Sequence, residues 1–194
     1  MNRTGSLARK TGETDIFVSI DLDGEGVSQV DTGIGFFDHM LSAVAKHGLM
    51  DLTVRVQGDL AVDGHHTVED TGIVFGAALA QALGDKKGIR RVGSCFLPMD
   101  ESLAFCALDI SGRPYLAFDA AFPAEMCGGY ASELTEEFFR AVSVSSGITL
   151  HLKAEGRNTH HMIEALYKAF ARALRDAAAL DPRVKGVPST KGVL

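Results

Sequence analysis

Two stretches of the sequence repeat one another and decide the fold: HHTVEDTGIVFGAAL at residues 65–79 and HHMIEALYKAFARAL at residues 160–174. A shift of 95 residues aligns them without a gap. The identities pair His65 with His160, His66 with His161, Glu69 with Glu164, Phe75 with Phe170, Ala78 with Ala173 and Leu79 with Leu174. Because self-similarity at a fixed period indicates a repeated structural unit, the chain is predicted to contain two copies of one half.

Hydrophobic patterning around these stretches predicts the same order of elements in both halves. Residues 15–22 alternate as a strand, DGEG at 23–26 predicts a hairpin to a second strand, residues 35–48 have a helical period, and residues 49–57 alternate again. The helix at 68–84 closes the first half. The second half repeats this order with strands at 103–110, 115–122 and 148–155 and helices at 132–144 and 160–180.

The predicted fold class is therefore α/β (α+β), with internal duplication of a strand-strand-helix-strand-helix half. The repeats span about 9–88 and 95–181, and a C-terminal tail follows them. Two halves of this size are expected to pack as a single domain over residues 1–194.

Composition excludes several classes of protein. The 194 residues are 46% hydrophobic, which is enough for a buried core, and the net charge of -6 argues against binding nucleic acid or anionic lipid. No apolar run is long enough to span a bilayer, and the polar start lacks a signal-peptide core. Cys95, Cys106 and Cys127 are odd in number and lack CxxC spacing. We expect a soluble, unprocessed protein in the reducing cytoplasm.

The repeated HHxxE pattern carries metal-binding chemistry. At about 100° per residue, positions i, i+1 and i+4 of a helix point into one quadrant. Imidazole and carboxylate are ligands for divalent zinc, manganese, iron or nickel. A single pair of histidines is more often a solvated helix start, where a glutamate favours the positive end of the helix. Two copies within a duplicated chain favour metal binding by His65, His66, Glu69, His160, His161 and Glu164.

A further ligand is available in each half. His39 lies on the first predicted helix, and Glu137 holds the equivalent position in the second half. If the two halves are related by a twofold axis, one site would use His39, His66, Glu69 and His160. The other would use His65, Glu137, His161 and Glu164. His47, beside Gly48, either complements the end of a helix or has a function.

Candidate anion-binding residues are few. Arg91, Arg113, Ser189 and Lys191 offer guanidinium, hydroxyl and ammonium donors that suit a phosphate monoester, although composition alone favours an ordinary surface position for each. The sequence contains no GxxxxGK[ST] loop, no complete dinucleotide fingerprint and no GxSxG motif. These absences argue against nucleotide binding and against a serine hydrolase.

Taken together, these motifs resemble the imidazoleglycerol-phosphate dehydratase family. The resemblance spans nearly the whole chain through RKTGETDI (9–16), TGIGFFDHML (32–41), HGLMDL (47–52), DGHHTVED (63–70), SGRPYLAF (111–118), HHMIEALYKAFARAL (160–174) and PSTKGVL (188–194). It implies a lyase that dehydrates D-erythro-imidazole glycerol phosphate to imidazole acetol phosphate in histidine biosynthesis. It also implies halves like ribosomal-protein-type domain 2, two manganese ions per active site, and trimers that assemble to a homo-oligomeric 24-mer.

The resemblance also implies roles for individual residues. One metal would be held by His39, His66, Glu69 and His160, and the other by His65, His161 and Glu164. Glu137 stands where the family often has a histidine, and its carboxylate can still ligate. The implied substrate contacts are Glu13, His39, His47, Arg91, Arg113, Lys168, Ser189, Thr190 and Lys191. The candidate acids and bases are Glu13 first, Asp100 second, and Glu164 in addition to its role as ligand.

Two other functions are compatible with the same residues. A metal-storing shell without catalysis would need the His and Glu clusters alone, and a dinuclear hydrolase would need metal and phosphate contacts. The basic set of Arg91, Arg113 and Lys191 favours a small anionic substrate over storage.

Overall fold

A computed structural model describes residues 3–192 and 194 of the chain. The first half contains β1 (Thr4–Lys10), β2 (Thr14–Asp21), β3 (Ser28–Asp31), α1 (Gly35–Gly48), β4 (Asp51–Gly58) and α2 (His65–Leu83). The second half contains β5 (Val92–Met99), β6 (Ser102–Asp109), β7 (Tyr115–Ala120), β8 (Met126–Cys127), β9 (Tyr130–Ala131), α3 (Leu134–Ser146), β10 (Thr149–Glu155) and α4 (Thr159–Ala178). In the described range, no helix is long and apolar enough to cross a membrane.

The two halves have the same topology, which confirms the duplicated α/β fold. The first sheet has the order β1-β2-β4-β3 and the second has the equivalent order β5-β6-β10-β7. The register agrees as well, because Leu7 pairs with Val18 in the first sheet and Cys95 pairs with Cys106 in the second. In both sheets the last strand joins its neighbour in parallel.

Two details of the predicted halves are wrong. The DGEG turn does not form a hairpin, because β3 pairs in parallel with β4 and not with β2. The link crosses to the far side of β4, and the Asp51 carboxylate holds it by accepting hydrogen bonds from the N–H groups of Glu25 and Val27, both at 2.9 Å. Each half also has an additional strand at its N-terminal edge, β1 or β5, where the alternation of apolar residues is weak.

Glycine allows each edge strand to approach its helix closely. A Cβ on Gly5 would lie 2.1 Å from the Ala78 carbonyl oxygen, and one on Gly93 would lie 2.1 Å from that of Ala173. These two contacts are equivalent in the two halves. Since the strands contact the helices through backbone, a larger residue at either position would push the sheet and helix apart.

The four helices form a layer between the two sheets, with α1 against α4 and α2 against α3. The core consists of the apolar faces of these helices and the inward residues of both sheets, with Phe37, Phe75, Phe138 and Phe170 fully buried. A Cβ on Gly72 would lie 2.7 Å from the Phe138 carbonyl oxygen, so α2 and α3 approach each other closely.

All four helices begin at the same end of the molecule. α1 and α2 follow the parallel strands β3 and β4. α2 runs parallel to α3, because Gly72 and Gly76 lie against Phe138 and Val142 in turn. α1 runs parallel to α4, since their N-terminal parts meet at His39 and Glu164. We call this the imidazole end, defined by His39, His65, His66, His160 and His161.

Candidate active site

Three of the predicted ligands form a cluster within one chain. His39 Nε2 lies 3.5 Å from Glu164 Oε2, and His160 Nε2 lies 3.1 Å from the same oxygen. One donor atom from each residue falls within 4.8 Å of the others, the only such group of three donors among the described residues. The chain positions this cluster through the starts of α1 and α4. Asp38 fixes the segment before α1 by accepting hydrogen bonds from the Thr32 N–H and hydroxyl.

The charge of Glu164 is held by a lysine. The Glu164 side chain is only 8% exposed, and Lys168 Nζ lies 2.6 Å from Glu164 Oε1. Burial would raise the pKa of Glu164, but hydrogen bonding and attraction to Lys168, with help from His39 and His160, outweigh burial and lower this pKa. Glu164 is therefore a carboxylate at neutral pH.

Aromatic side chains form the floor of this cluster. Phe36 meets the His160 ring edge-on at 5.0 Å and lies 5.4 Å from the ring of Tyr130. The hydroxyls of Tyr130 and Tyr167 lie 3.2 Å apart in the core. Burial raises the pKa of Tyr130 to about 12, so this floor is uncharged at neutral pH. The cluster is thus open to solvent on one side and closed by rings on the other.

The donor set fits a divalent cation. Two imidazole nitrogens and one carboxylate oxygen suit manganese, iron or zinc, and three protein ligands leave positions open for water or substrate. Glu164 has a second oxygen bound to Lys168, so its orientation is fixed before any cation arrives. The residues that gather here therefore match the predicted type of metal centre.

The equivalent pair in the first repeat is more open. His65 Nε2 lies 3.3 Å from Glu69 Oε2, and these side chains are 45% and 44% exposed. Glu137, predicted as a further ligand, lies on α3 and directs Oε2 toward Arg140 Nε at 3.7 Å. In residues 3–192 and 194, Glu137 takes part in no cluster of three donors.

The predicted division of ligands is not met inside one chain. The carboxylate beside His39 and His160 is Glu164, whereas the prediction placed Glu69 with these histidines. The reason is that α1 packs against α4, so His39 meets the second repeat on its own side of the helical layer. The predicted sets remain a prediction for an assembly in which a second chain contributes ligands.

His66, the second histidine of the first pair, lies between two carboxylates. Its Nδ1 is 3.0 Å from Asp59 Oδ2, and its Nε2 is 3.7 Å from Glu13 Oε1 in the β1–β2 turn. The hydrogen bond with Asp59 is the main cause that raises the pKa of His66. Glu13, the first candidate for acid–base chemistry, thus lies at the imidazole end.

His161, in the second repeat, also lies between two carboxylates. Its Nδ1 is 2.8 Å from Glu101 Oε2, and its Nε2 is 3.7 Å from Asp100 Oδ2. The hydrogen bond with His161 is the main cause that lowers the pKa of Glu101 to about 2. The same hydrogen bond is the main cause that raises the pKa of His161. Asp100, the second acid–base candidate, has a left-handed backbone (φ 47°) in the tight β5–β6 turn.

Asp59 and Glu101 were not predicted from the sequence. An acidic residue seven positions before His66 is a weak pattern, although it could have been noted for Asp59. Glu101 lies 60 residues from His161 in the chain, and only the pairing of β5, β6 and β10 brings the two together. No local spacing could have predicted that contact.

The basic candidates lie at the other end of the molecule, which we call the arginine end, defined by Arg91, Arg113 and residues 188–192. Arg91 Nε and Asp109 Oδ1 are 2.6 Å apart, and this hydrogen bond is the main cause that raises the pKa of Arg91. Arg91 also donates to the Pro188 carbonyl at 2.9 Å, and its left-handed backbone (φ 75°) is a form of strain that concentrates at functional sites.

The remaining candidates are divided between the two ends. Arg113 Nη2 lies 3.6 Å from Asp109 Oδ2, beside Arg91. The C-terminal segment follows Pro188, whose carbonyl accepts from Arg91, and within it the Lys191 N–H donates to Ser189 Oγ at 3.2 Å. The arginine end therefore includes Arg113, Ser189, the exposed Thr190 and Lys191. Lys168 reaches the imidazole end through Glu164. His47 lies near the end of α1, where burial and then Lys168 and Arg172 lower its pKa.

The two ends are far apart within one chain. β5 runs from Arg91 toward the turn at Asp100, and its eight residues span about 25 Å at roughly 3.3 Å per residue. A single small substrate cannot reach both ends of one chain.

The fold and the site define a class: a duplicated α/β protein that presents imidazole and carboxylate donors where its helices begin. Comparisons with known proteins identify the family within this class. The family model described as imidazoleglycerol-phosphate dehydratase matches residues 32–174. The imidazoleglycerol-phosphate dehydratase of Symbiobacterium thermophilum is 65% identical over 99% of this chain and 93% of that protein. The one from Acetivibrio thermocellus is 62% identical over 100% of both.

Solved structures agree with the family. The crystal structure of imidazoleglycerol-phosphate dehydratase from Staphylococcus aureus has a TM-score of 0.83 and 42% identity, over 92% of this chain and 99% of that one. The enzyme from Pyrococcus furiosus, in complex with (S)-C348, has a TM-score of 0.83 and 35% identity, over 97% of this chain and 100% of that one. The chain belongs to the imidazoleglycerol-phosphate dehydratase family. The predicted family and the hydro-lyase class are thereby confirmed.

Proposed function

We propose that this chain dehydrates D-erythro-imidazole glycerol phosphate to imidazole acetol phosphate, in a site that holds two manganese ions and is shared between chains. Family membership supports the reaction, which belongs to histidine biosynthesis. The observation that carries the metal part is the cluster of His39, His160 and Glu164. A divalent cation bound there would act as a Lewis acid on the imidazole of the substrate.

The residues of the imidazole end supply positioning and proton transfer. In the reaction a C–H bond and the neighbouring C–O bond break, water leaves, and the resulting enol becomes the ketone. Glu13 is half-exposed beside His66 and can accept the carbon-bound proton. Asp100, at the same distance from His161, is the second candidate for proton transfer to the leaving hydroxyl. The aromatic floor would limit the access of water to one side of the substrate imidazole.

The arginine end supplies phosphate binding. Arg91 and Arg113 converge on Asp109, and Ser189, Thr190 and Lys191 follow in the C-terminal segment. A guanidinium fork with hydroxyl and ammonium donors matches a phosphate monoester. Because this end lies about 25 Å from the imidazole end of the same chain, the complete site combines the two ends of different copies.

Exposed apolar residues support assembly. On the outer face of the second sheet, Phe96 is 71% exposed, Tyr115 62% and Leu103 49%. The Phe96 ring lies 4.7 Å from that of Phe105 at a tilt of 40°, so β5 and β6 share an exposed apolar patch, while Tyr115 lies apart on β7. Such a patch favours contact with further copies, and we propose trimers that associate to a 24-mer. Native mass spectrometry of the manganese-loaded protein should give a mass of 24 chains; a monomer would contradict the shared site.

Turnover is the test of the proposed function. Metal-loaded protein is incubated with imidazole glycerol phosphate, and both the ketone and inorganic phosphate are measured. Ketone without phosphate release supports the dehydratase, and phosphate release would identify a hydrolase instead. Metal binding with neither product would indicate storage. Chelation should abolish ketone formation, and added Mn²⁺ should restore it.

Metal stoichiometry tests the dinuclear part separately. We expect two Mn²⁺ per chain in equilibrium dialysis, with loss of metal after His66→Ala or His161→Ala. His151→Ala is the matched control, because His151 is exposed on β10 at the outer face of the sheet. Full metal content in both ligand variants would contradict the assignment.

A further inference from the structure

We propose that Asp59 and Glu101 are positioning residues, which fix the ring orientation and tautomer of His66 and His161 so that each Nε2 lone pair is free for a cation. The inference rests on the metal-dependent part of the proposed function. It concerns two carboxylates that lie behind the histidines and contact the Nδ1 atoms.

The contacts of Glu101 leave its carboxylate little freedom. Oε1 accepts hydrogen bonds from the backbone N–H groups of Arg157 at 3.1 Å and Asn158 at 2.8 Å, and from the Ser102 hydroxyl at 3.0 Å. Oε2 faces His161 Nδ1 at 2.8 Å. An ionised carboxylate can only accept, so Nδ1 must donate, and in the neutral ring the proton is then absent from Nε2.

Asp59 contacts His66 Nδ1 in the same way, but it lies at a different position in its half. Both of its oxygens lie within reach of His66 Nδ1, at 3.2 and 3.0 Å. Asp59 follows β4 directly, whereas Glu101 lies in the turn between β5 and β6. The neutral His66 ring is therefore also held with its proton on Nδ1.

The duplication did not supply both carboxylates. Gly58 ends β4 and Gly156 directly follows the equivalent strand β10, so the residue equivalent to Asp59 is Arg157, whose side chain cannot accept a hydrogen bond. The pairs Leu7–Val18 and Cys95–Cys106 relate β1 to β5 by a shift of 88 residues. By this shift Glu101 is equivalent to Glu13, which faces Nε2 of His66. The two halves thus place carboxylates from non-equivalent positions against the same ring atom. This convergence points to a requirement of the histidines and not to inherited packing.

Amide substitutions separate positioning from simple structural support. Glu101→Gln keeps a carbonyl oxygen for the backbone N–H groups of residues 157 and 158. Its amide would present N–H to His161 Nδ1, so the ring would have to accept there and carry its proton on Nε2. Asp59→Asn makes the same change at His66. A merely structural role would leave metal affinity and tautomer unchanged.

Titration with MnCl₂ provides the first measurement. Free Mn²⁺ is followed by electron paramagnetic resonance over the full-length chain after chelation. We expect Glu101→Gln and Asp59→Asn each to weaken binding about 10- to 100-fold, as for other groups that orient metal-bound histidines. Thermal unfolding of the metal-free protein should show that both variants remain folded. The control is Glu155→Gln, an equal loss of charge at an exposed residue that pairs with Lys153. Wild-type affinity in both test variants would overturn the proposal.

Solid-state ¹⁵N NMR of histidine-labelled, metal-free protein provides the second measurement. The His161 signals are identified by their loss in His161→Gln. They should show a protonated Nδ1 in the wild type and a protonated Nε2 in Glu101→Gln, while His66 changes only in Asp59→Asn. An unchanged tautomer would overturn the inference. This result does not depend on Mn²⁺ binding or turnover, so failure of the proposed function would be recognised separately.

Discussion

The His–Glu pairs of the two repeats have the same spacing but different surroundings. In the second repeat, Glu164 is 8% exposed and lies 3.1 Å from His160, with His39 as a third donor. In the first repeat, Glu69 lies 3.3 Å from His65 but is 44% exposed. Duplication therefore reproduced the helix starts without reproducing the cluster. One group of three donors lies inside the chain, whereas the His65–Glu69 pair is exposed to solvent.

Single residues explain this difference. Lys168, which holds Glu164 at 2.6 Å, corresponds to Ile73 in the first repeat. Tyr167, which forms part of the aromatic floor, corresponds to Gly72, where α2 instead approaches α3. The second repeat thus has a charge partner and a floor, whereas the first repeat has close helix packing at the equivalent position.

The largest effect is expected on turnover, when the acid–base candidate of each half, Glu13 or Asp100, is substituted. Glu13→Gln should lower turnover by about 10²- to 10⁴-fold, the usual contribution of a positioned acid or base, and leave metal content and assembly intact. Asp100→Asn should have a smaller effect, because Asp100 is the second candidate. Turnover of both variants at saturating substrate tests this. Full activity of Glu13→Gln would refute its assignment.

The next largest effect is expected on Mn²⁺ affinity, when the glutamate of either His–Glu pair is substituted. Glu164→Gln should weaken Mn²⁺ binding at the His39–His160–Glu164 cluster more than about 100-fold, since even outer groups contribute about 10- to 100-fold. Glu69→Gln should leave binding at that cluster unchanged and affect only a site that includes the exposed His65–Glu69 pair. Calorimetric titration with Mn²⁺ measures both. Equal weakening of one common site by the two variants would remove the distinction between the clusters.

The smallest effect is expected on the pH dependence of stability, through the aromatic floor that only the second repeat has. Burial raises the folded-state pKa of Tyr130 to about 12, above about 10 for an unfolded tyrosine. Its contribution to stability is therefore complete below pH 10 and is lost as the pH rises from 10 to 12, by about 3 kcal/mol. Tyr130→Phe should make this loss smaller. Urea unfolding at pH 8 and pH 11 measures about half of this loss, because pH 11 lies midway between the two pKa values. Equal losses in both proteins would contradict the role given to Tyr130.

Much of the fold could be predicted from the sequence because its strongest patterns are local. The helical periods and the HHxxE spacing depend on neighbouring residues, and the duplication follows from six identities. The edge strands β1 and β5 could not be predicted, since each contacts its helix through glycine and shows little alternation. The crossing of β3 beyond β4 is also invisible to local turn chemistry.

The site was predicted as a set of residues and less well as a geometry. His39, His160 and Glu164, which were predicted as ligands, lie together, but their grouping depends on α1 packing against α4, which no spacing reveals. Glu101 reaches His161 through strand pairing, and the separation of Arg91 from the histidines follows from the direction of β5. Long-range topology, in each case, decided what the residue types alone left open.

The most direct test of the central claim, that the imidazole end of one chain and the arginine end of another form one site, is complementation between inactive variants. Glu164→Gln removes the first end and Arg91→Ala the second, and each should be inactive alone. Assemblies reconstituted from an equal mixture should regain activity, because about a quarter of random pairings combine two intact ends. The matched control, Glu164→Gln mixed with His160→Ala, should stay inactive. No recovery in the first mixture, at normal assembly, would contradict the shared site.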